Sequence, residues 1–461
     1  MNALTTPVPP TSTTPQQPTS RSHRGLTAAV LMVLAAMACG AAWLCWPASP
    51  IPVRSVDTAG SLSDSTSIER GRYLSVLGNC QACHTQRGGS PFAGGQGIAT
   101  PFGTVYGSNL TPSPSGLGAW TAADFWRALH HGQAPDGRWL NPAFPYTNTT
   151  HITRADSDAL FAYFRTLPAA DTPNTPSEIR WPFNTQAALR VWRALYFRPG
   201  DAQQAPAALA GTTGDGASSA RLRGAYLVNG LAHCSACHVP RNALGGSSDM
   251  LGLSGGRIPV QNWYAPSLMD PGEAGVQDWP LEDILALFRN GQSRDHFVTG
   301  PMAEVVQHST QHWRDNDLLA MATYLKQLPR QPVLPATDSN PDNGISVARG
   351  AQLYKQQCAA CHKEQGEGVK LADGAWAYPP LAGNATVRQS SPTNLIQAVL
   401  HGGFAPSTRA HPRPFGMPPF VMELNHSELA DLLSYIRLTW GQGAGSVSAL
   451  EVQKLRGSAR R

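Results

Sequence analysis

Cysteine and histidine recur in this chain in one arrangement. It is found as Cys80-Gln81-Ala82-Cys83-His84, as Cys234-Ser235-Ala236-Cys237-His238 and as Cys358-Ala359-Ala360-Cys361-His362. Two thiols at this spacing can add across the two vinyl groups of a haem, and the histidine beside the second thiol is placed to ligate the iron as proximal ligand. On this reading Cys80, Cys83, Cys234, Cys237, Cys358 and Cys361 hold three haem c groups covalently, and His84, His238 and His362 bind their irons. A zinc site or a thioredoxin-like redox pair uses the same cysteine spacing. Zinc needs the pairs to assemble into four-ligand sets, whereas a histidine directly after every pair is accounted for one haem at a time.

The elements that must position these motifs also recur. Each unit opens with Arg-Gly and a leucine three residues on: Arg70-Gly71 with Leu74, Arg223-Gly224 with Leu227, Arg349-Gly350 with Leu353. The dipeptide precedes its first cysteine by a distance suited to a short helix leading into the haem loop. An amphipathic run ending at glycine follows, over 125–132, 284–291 and 395–402, and the glycine is a helix stop. Each unit closes with a second helical pattern, over 158–167, 317–328 and 428–440. Leu160, Phe164 and Leu167 share a face there, as do Leu318, Ala322 and Leu325, and Leu429, Leu433 and Ile436. Asn425 and Glu428 are spaced as a cap pair, and Pro168 and Pro329 end the first two patterns. No segment alternates with period two, so the fold class expected is all-α. Its apolar stripes form the core and the cofactor pocket at once.

A second axial ligand is expected beyond each glycine-terminated helix, and a methionine there raises the haem potential. Met302 and Met417, each beside a proline, stand in that place in the second and third units. Met422 is a competitor for Met417, and Met269 and Met321 fit the repeat poorly. In the first unit the place is held by Phe144, and no methionine lies between Met37 and Met250. Haem 1 is left with a histidine (His130, His131 or His151), a non-histidine ligand, or an open site. His151, in the loop before the closing helix, is the best placed of these.

The chain has 461 residues, room for about three domains. Two of its eight cysteines, Cys39 and Cys45, lie outside the motifs, in an apolar stretch, so no disulfide framework is expected. The formal charge of +5 resides in the tails. Setting aside Arg21 and Arg24, then Lys454, Arg456, Arg460, Arg461 and Glu451, leaves 29 basic and 29 acidic residues. A nucleic-acid role has no support in such a balance. Residues 1–25 are rich in Pro, Thr, Ser and Gln and are expected to form a disordered cytoplasmic tail. Leu26 to Trp46 has no charge and would span roughly 31 Å as a helix, enough for a transmembrane anchor. The basic residues before it place the body outside the cytoplasm. A cleaved signal peptide with Ala36-Met37-Ala38 as its site is the alternative, and gives the same compartment.

Beyond these motifs, residues 67–441 resemble the tri-haem cytochrome c subunits of bacterial membrane-bound dehydrogenases, including alcohol, gluconate and aldehyde dehydrogenases. The resemblance rests on Pro142-Ala143-Phe144-Pro145-Tyr146, Pro240-Arg241-Asn242, Trp263-Tyr264-Ala265-Pro266, Gly300-Pro301-Met302-Ala303-Glu304-Val305-Val306 and Met417-Pro418. It implies three tandem class I-like cytochrome c domains behind the anchor, at 67–168, 223–329 and 344–441. Linkers at 169–222 and 330–343 separate them, and a basic C-terminal tail at 442–461 follows. It also implies a catalytic partner (a quinoprotein, flavoprotein or molybdenum hydroxylase), quinone or a terminal oxidase as acceptor, and a place on the periplasmic side of the inner membrane. Many relatives carry methionine at Phe144 or near Ile152, and this chain has neither. Phe144 together with Thr153-Arg154-Ala155-Asp156-Ser157-Asp158 is similar to relatives paired with molybdenum hydroxylases. No catalytic constellation appears beyond the haem motifs. The chain therefore reads as an electron-transfer subunit. A self-sufficient, peroxidase-like haem enzyme using an open haem 1, and a free periplasmic shuttle, are the other readings.

Overall fold

The computed structural model describes residues 28–35, 37, 40, 48–53, 63–200, 216–331 and 346–458. Two units are distinguished, 1–47 and 48–461. In the first, residues 28–35 are helical and Val30, Leu31, Met32, Val33 and Leu34 are exposed. Among the described residues no helix is long and apolar enough to cross a membrane. The rest of the expected 26–46 span, the 1–25 tail and most of the expected 330–343 linker lie outside them.

In the second unit one pattern of helices occurs three times. The first repeat holds α1 (Ser65–Leu77), α2 (Ala122–His131) and α3 (Arg154–Arg165), and α4 (Gln186–Tyr196) follows it. The second holds α5 (Gly216–Tyr226), α6 (Leu281–Asn290), α7 (Pro301–His308) and α8 (Asp315–Lys326). The third holds α9 (Val347–Gln357), α10 (Thr393–His401) and α11 (His426–Trp440), followed by α12 (Ala449–Ser458). Local sequence explains the ends. Asn425 and Glu428 form the expected capping box on α11, and Thr121 and Asp124 form another on α2. The glycines at 132, 291 and 402 stop α2, α6 and α10.

The Arg-Gly dipeptide of each repeat is where opening and closing helices cross. A Cβ on Gly71, Gly224 or Gly350 would fall inside the carbonyl oxygen of Ala159, Ala320 or Asp431 on the facing helix. Only glycine permits so close an approach. The neighbouring arginine ties the same crossing. Arg70 Nε donates to Asp156 at 2.6 Å, Arg223 Nε to Asp317 at 2.8 Å, and Arg349 Nε to Asp431. Asp156, Asp317 and Asp431 are buried. An ion pair at a buried carboxylate matters chiefly because removing one partner strands the other.

Two hydrophobic clusters result. One joins the first and second repeats, with Leu74, Phe164, Leu227 and Leu318 among its fully buried members. The other belongs to the third repeat and takes in Val447, Val452 and Leu455. The segment expected as a basic tail, 442–461, thus contributes helix α12 to a core, its apolar residues spaced for one helical face. The segment expected as a linker, 169–222, likewise contains α4. There Arg193 lies 3.9 Å from the Trp139 ring centroid, 4.4 Å from that of Phe197 and 5.2 Å from that of Tyr146, distances suited to cation–π attraction.

The all-α expectation is corrected in one respect: the fold is mostly helical but carries short strands. β1 (Gly97–Thr100), β2 (Gly103–Tyr106) and β3 (Glu178–Ile179) form an antiparallel sheet, with Gly97 opposite Tyr106 and Gly103 opposite Ile179. Among the described residues four further two-stranded sheets have strands of two or three residues. Strands this short cannot display the alternation by which strands are recognised in sequence.

Candidate functional site

Each Cys-x-x-Cys-His motif folds into a single helical turn after its opening helix: Cys80–His84, Ser235–His238 after Cys234, and Ala359–His362 after Cys358. None of the six motif thiols is joined to another in a disulfide. Burial pushes the first thiol of each motif, Cys80, Cys234 and Cys358, up to about 12.

The three histidines share one anchoring. Nδ1 of His84 lies 2.6 Å from the Ser108 carbonyl, Nδ1 of His238 2.8 Å from that of Pro266, and Nδ1 of His362 2.9 Å from that of Pro379. A carbonyl can only accept, so Nδ1 carries the proton and Nε2 keeps its lone pair. This second interaction fixes tautomer and ring direction, as in metal-ligating histidines generally. Burial lowers the pKa of all three imidazoles, which favours the neutral, ligating form.

The loops that deliver these carbonyls are also built alike. The histidine carbonyl accepts from Gly94 N (2.9 Å), Gly255 N (2.9 Å) or Gly368 N (3.1 Å). Two residues either side, Leu110 N donates to Phe92 O, Leu268 N to Leu253 O and Leu381 N to Gly366 O. The three glycines have φ of 81°, 80° and 72°. A Cβ on them would come within 2.7, 2.6 and 2.5 Å of backbone atoms of Asn109, Ser267 and Tyr378, next to the anchoring carbonyls. Sequence reasoning misses these six residues, although Pro266 lies in one of the strings that carry the resemblance. The glycines follow their histidines by 10, 17 and 6 residues, so no fixed spacing betrays them. Paired thiols, a neutral imidazole with Nε2 free, and a rigid loop behind it fit a covalently attached haem.

Of the sixth-ligand candidates, Met302 is the second residue of α7 and half-buried. Met417 sits in a two-residue strand paired with Gly403–Phe404, its carbonyl pressed against Gly402 at the end of α10. Met422 is 86% exposed, whereas Met321 is 2% exposed in the core of α8. Met269 is partly buried against the joint core. Phe144 packs partly buried against the same core. His130 is buried and stacks on Trp126, with ring centroids 4.4 Å apart, and His131 meets it edge-on. Burial, then His130, Arg193 and Arg127, depress His131 to about 4. His151 lies between Gly200 and Gly230, and burial lowers its pKa too.

The chain is similar in sequence to known proteins. The general profile for cytochrome c matches residues 347–440. The cytochrome c subunit of the quinone-type alcohol dehydrogenase of Gluconobacter oxydans is 37% identical over 413 residues, covering 86% of this chain and 83% of that protein. The cytochrome c subunit of gluconate 2-dehydrogenase from Pantoea cypripedii is 36% identical, covering 84% and 89%. A nicotinate dehydrogenase subunit of Pseudomonas putida is 36% identical over 93% of this chain, though over only 35% of that longer protein. The chain therefore belongs to the cytochrome c subunits of membrane-bound dehydrogenases, the alcohol and gluconate dehydrogenases among them, whose work is electron transfer through haem c.

Proposed function

We propose that the chain binds three haems, one in each of the domains 67–168, 223–329 and 344–441. It relays electrons from a catalytic dehydrogenase subunit to membrane quinone or a terminal oxidase, on the periplasmic side of the bacterial inner membrane. The observation that carries this reading is the anchoring of His84, His238 and His362, the same in every motif. Bound haem supplies one-electron iron chemistry. The chain supplies the thiols that fix its place, the imidazoles that ligate it and the buried walls that exclude water. Covalent attachment of all three is checked by haem staining of a denaturing gel and by intact mass. The matured chain is expected to carry a three-haem increment, and an increment of two or fewer would overturn the count.

Met302 and Met417 are assigned as the sixth ligands of the second and third haems. Their half-buried positions beyond α6 and α10 support this, as do the surface exposure of Met422 and the core position of Met321. Replacing either Met302 or Met417 by alanine is expected to abolish one methionine-to-iron charge-transfer band. One midpoint potential should fall with it, by part of the ~0.8 V that axial ligation spans. Unchanged spectra and potentials in both variants would place the ligands elsewhere.

The partner is a quinoprotein, flavoprotein or molybdenum hydroxylase. Similarity to the nicotinate dehydrogenase of Pseudomonas putida supports the last, in line with Phe144 and the Thr153–Asp158 string. The exposed apolar helix at 28–35 supports a retained anchor at 26–46. Copurification from detergent-solubilised membranes with a catalytic subunit tests both. A second reading, a peroxidase-like enzyme acting at an open haem 1, is favoured only by Phe144, and turnover of peroxide by the isolated chain would select it.

A further inference from the structure

The first and second repeats meet through a contact in which each offers the other residues at matching positions. Tyr73, two positions after Gly71, donates to Asp317 at 2.8 Å and accepts from Arg314 N at 2.9 Å. Tyr226, two positions after Gly224, donates to Asp156 at 2.6 Å and accepts from Thr153 N at 3.3 Å. The two acids and the two amide donors occupy matching places, three residues apart at the starts of α3 and α8. Five residues before those donors the exchange repeats. Asn148 Nδ2 donates to Asn229 O at 2.8 Å, and Ser309 Oγ donates to Val76 O at 2.7 Å. Asn229 and Val76 each follow their tyrosine by three residues. Such reciprocity is the mark of an isologous, two-fold-like interface, here between two halves of one chain. Burial raises the pKa of both tyrosines, so they remain donors to carboxylates that Arg70 and Arg223 already hold.

This contact brings the first two motifs together. His233, next to Cys234, places Nε2 3.2 Å from the carbonyl of Gly78, two residues before Cys80. Among the described residues the third repeat has no counterpart: the matching position after Gly350 is Gln352, which is exposed. It meets the second repeat differently, through Asn394, which exchanges hydrogen bonds of 2.9 and 2.8 Å with the backbone of Tyr264.

We propose that the haems of the first and second repeats exchange electrons directly across this internal two-fold contact, with Tyr73 and Tyr226 as the positioning residues that hold it. One electron leaves a ferrous iron and reduces the ferric iron opposite; no bond forms or breaks and no proton moves. The second haem is then the station through which the third communicates with the first. The inference rests on each motif carrying a haem, and the intact mass separates failure of that reading from failure of the pairing.

Flash photoreduction of the full chain without its partner tests it, haem 1 being followed by its own spectrum. Haem 1 is expected to equilibrate with haem 2 before haem 3. The Tyr73→Phe/Tyr226→Phe double variant is expected to lose this fast phase while keeping the haem 2–haem 3 phase, its helix content and its three-haem mass. Each single variant should slow the phase alike, because the two arms are equivalent. Equilibration of haem 1 with haem 3 first, in the unaltered protein, would overturn the pairing whatever the variants do. A fast phase retained in a folded double variant would overturn the role of the tyrosines.

Discussion

A Gly71→Ala chain is expected to lose the fold of its first repeat, with a cost of about 3 kcal/mol or more, the upper range for overpacking. The added methyl would overlap the Ala159 carbonyl and come within 2.9 Å of the Tyr163 Cβ, neither of which can swing aside. α1 would have to retreat from α3. That movement also stretches the Arg70–Asp156 bond and leaves a buried carboxylate short of a donor. In a protein with a net stability of about 5–15 kcal/mol this is a large fraction. Because the first and second repeats share a core, the loss should extend to the second repeat. Thermal unfolding followed in the far ultraviolet and in the Soret band checks this, as two transitions or one lowered transition against the unaltered chain. Gly350→Ala is the internal comparison. It should loosen only the third repeat, whose core is separate. Unfolding at the unaltered temperature in both variants would show that the glycines do not set the crossing distance.

The same dipeptide shows what the sequence makes legible and what it hides. Arg-Gly recurring before each motif announces a structural unit, and the helices that follow carry apolar stripes and caps that can be read directly, as Asn425 and Glu428 illustrate. The acids that receive the arginines are harder to see. Asp156 and Asp317 hold matching places, whereas the third repeat uses Asp431 one turn later and spends Glu428 on the cap. The carbonyls of Ser108, Pro266 and Pro379 are hidden more deeply, because a backbone oxygen leaves no residue type to recognise and the loops differ in length. α12 is masked by its basic residues, which draw attention away from Val452 and Leu455. The short strands lie below any periodic signal. What sequence patterns reveal is whatever repeats at fixed spacing, and the site depends equally on contacts that loops of varied length bring to one place.

Haem 1 is expected to differ in its spectrum from the other two, and the cause is Phe144. A phenyl ring offers no lone pair, so the position that carries a thioether elsewhere supplies only packing here. Two arrangements then satisfy the iron. In one, His151, which burial keeps in its neutral form, becomes the sixth ligand. Haem 1 is then bis-histidine, low-spin and of lower potential than a methionine-ligated haem, so that electrons delivered to it run downhill toward haem 2. In the other no side chain replaces the thioether, and haem 1 is high-spin and binds carbon monoxide. Paramagnetic resonance of the oxidised protein separates both from the ordinary case, since three low-spin signals all typical of histidine–methionine ligation contradict either arrangement. His151→Ala then divides the two, because only the bis-histidine arrangement converts to high spin on losing that ring. Phe144→Met supplies the converse. A thioether placed where the other repeats have one is expected to raise the haem 1 potential toward those of haems 2 and 3, reversing the downhill step. If Phe144→Met leaves that potential where it was, position 144 does not face the iron and the ligand of haem 1 must be sought on another loop.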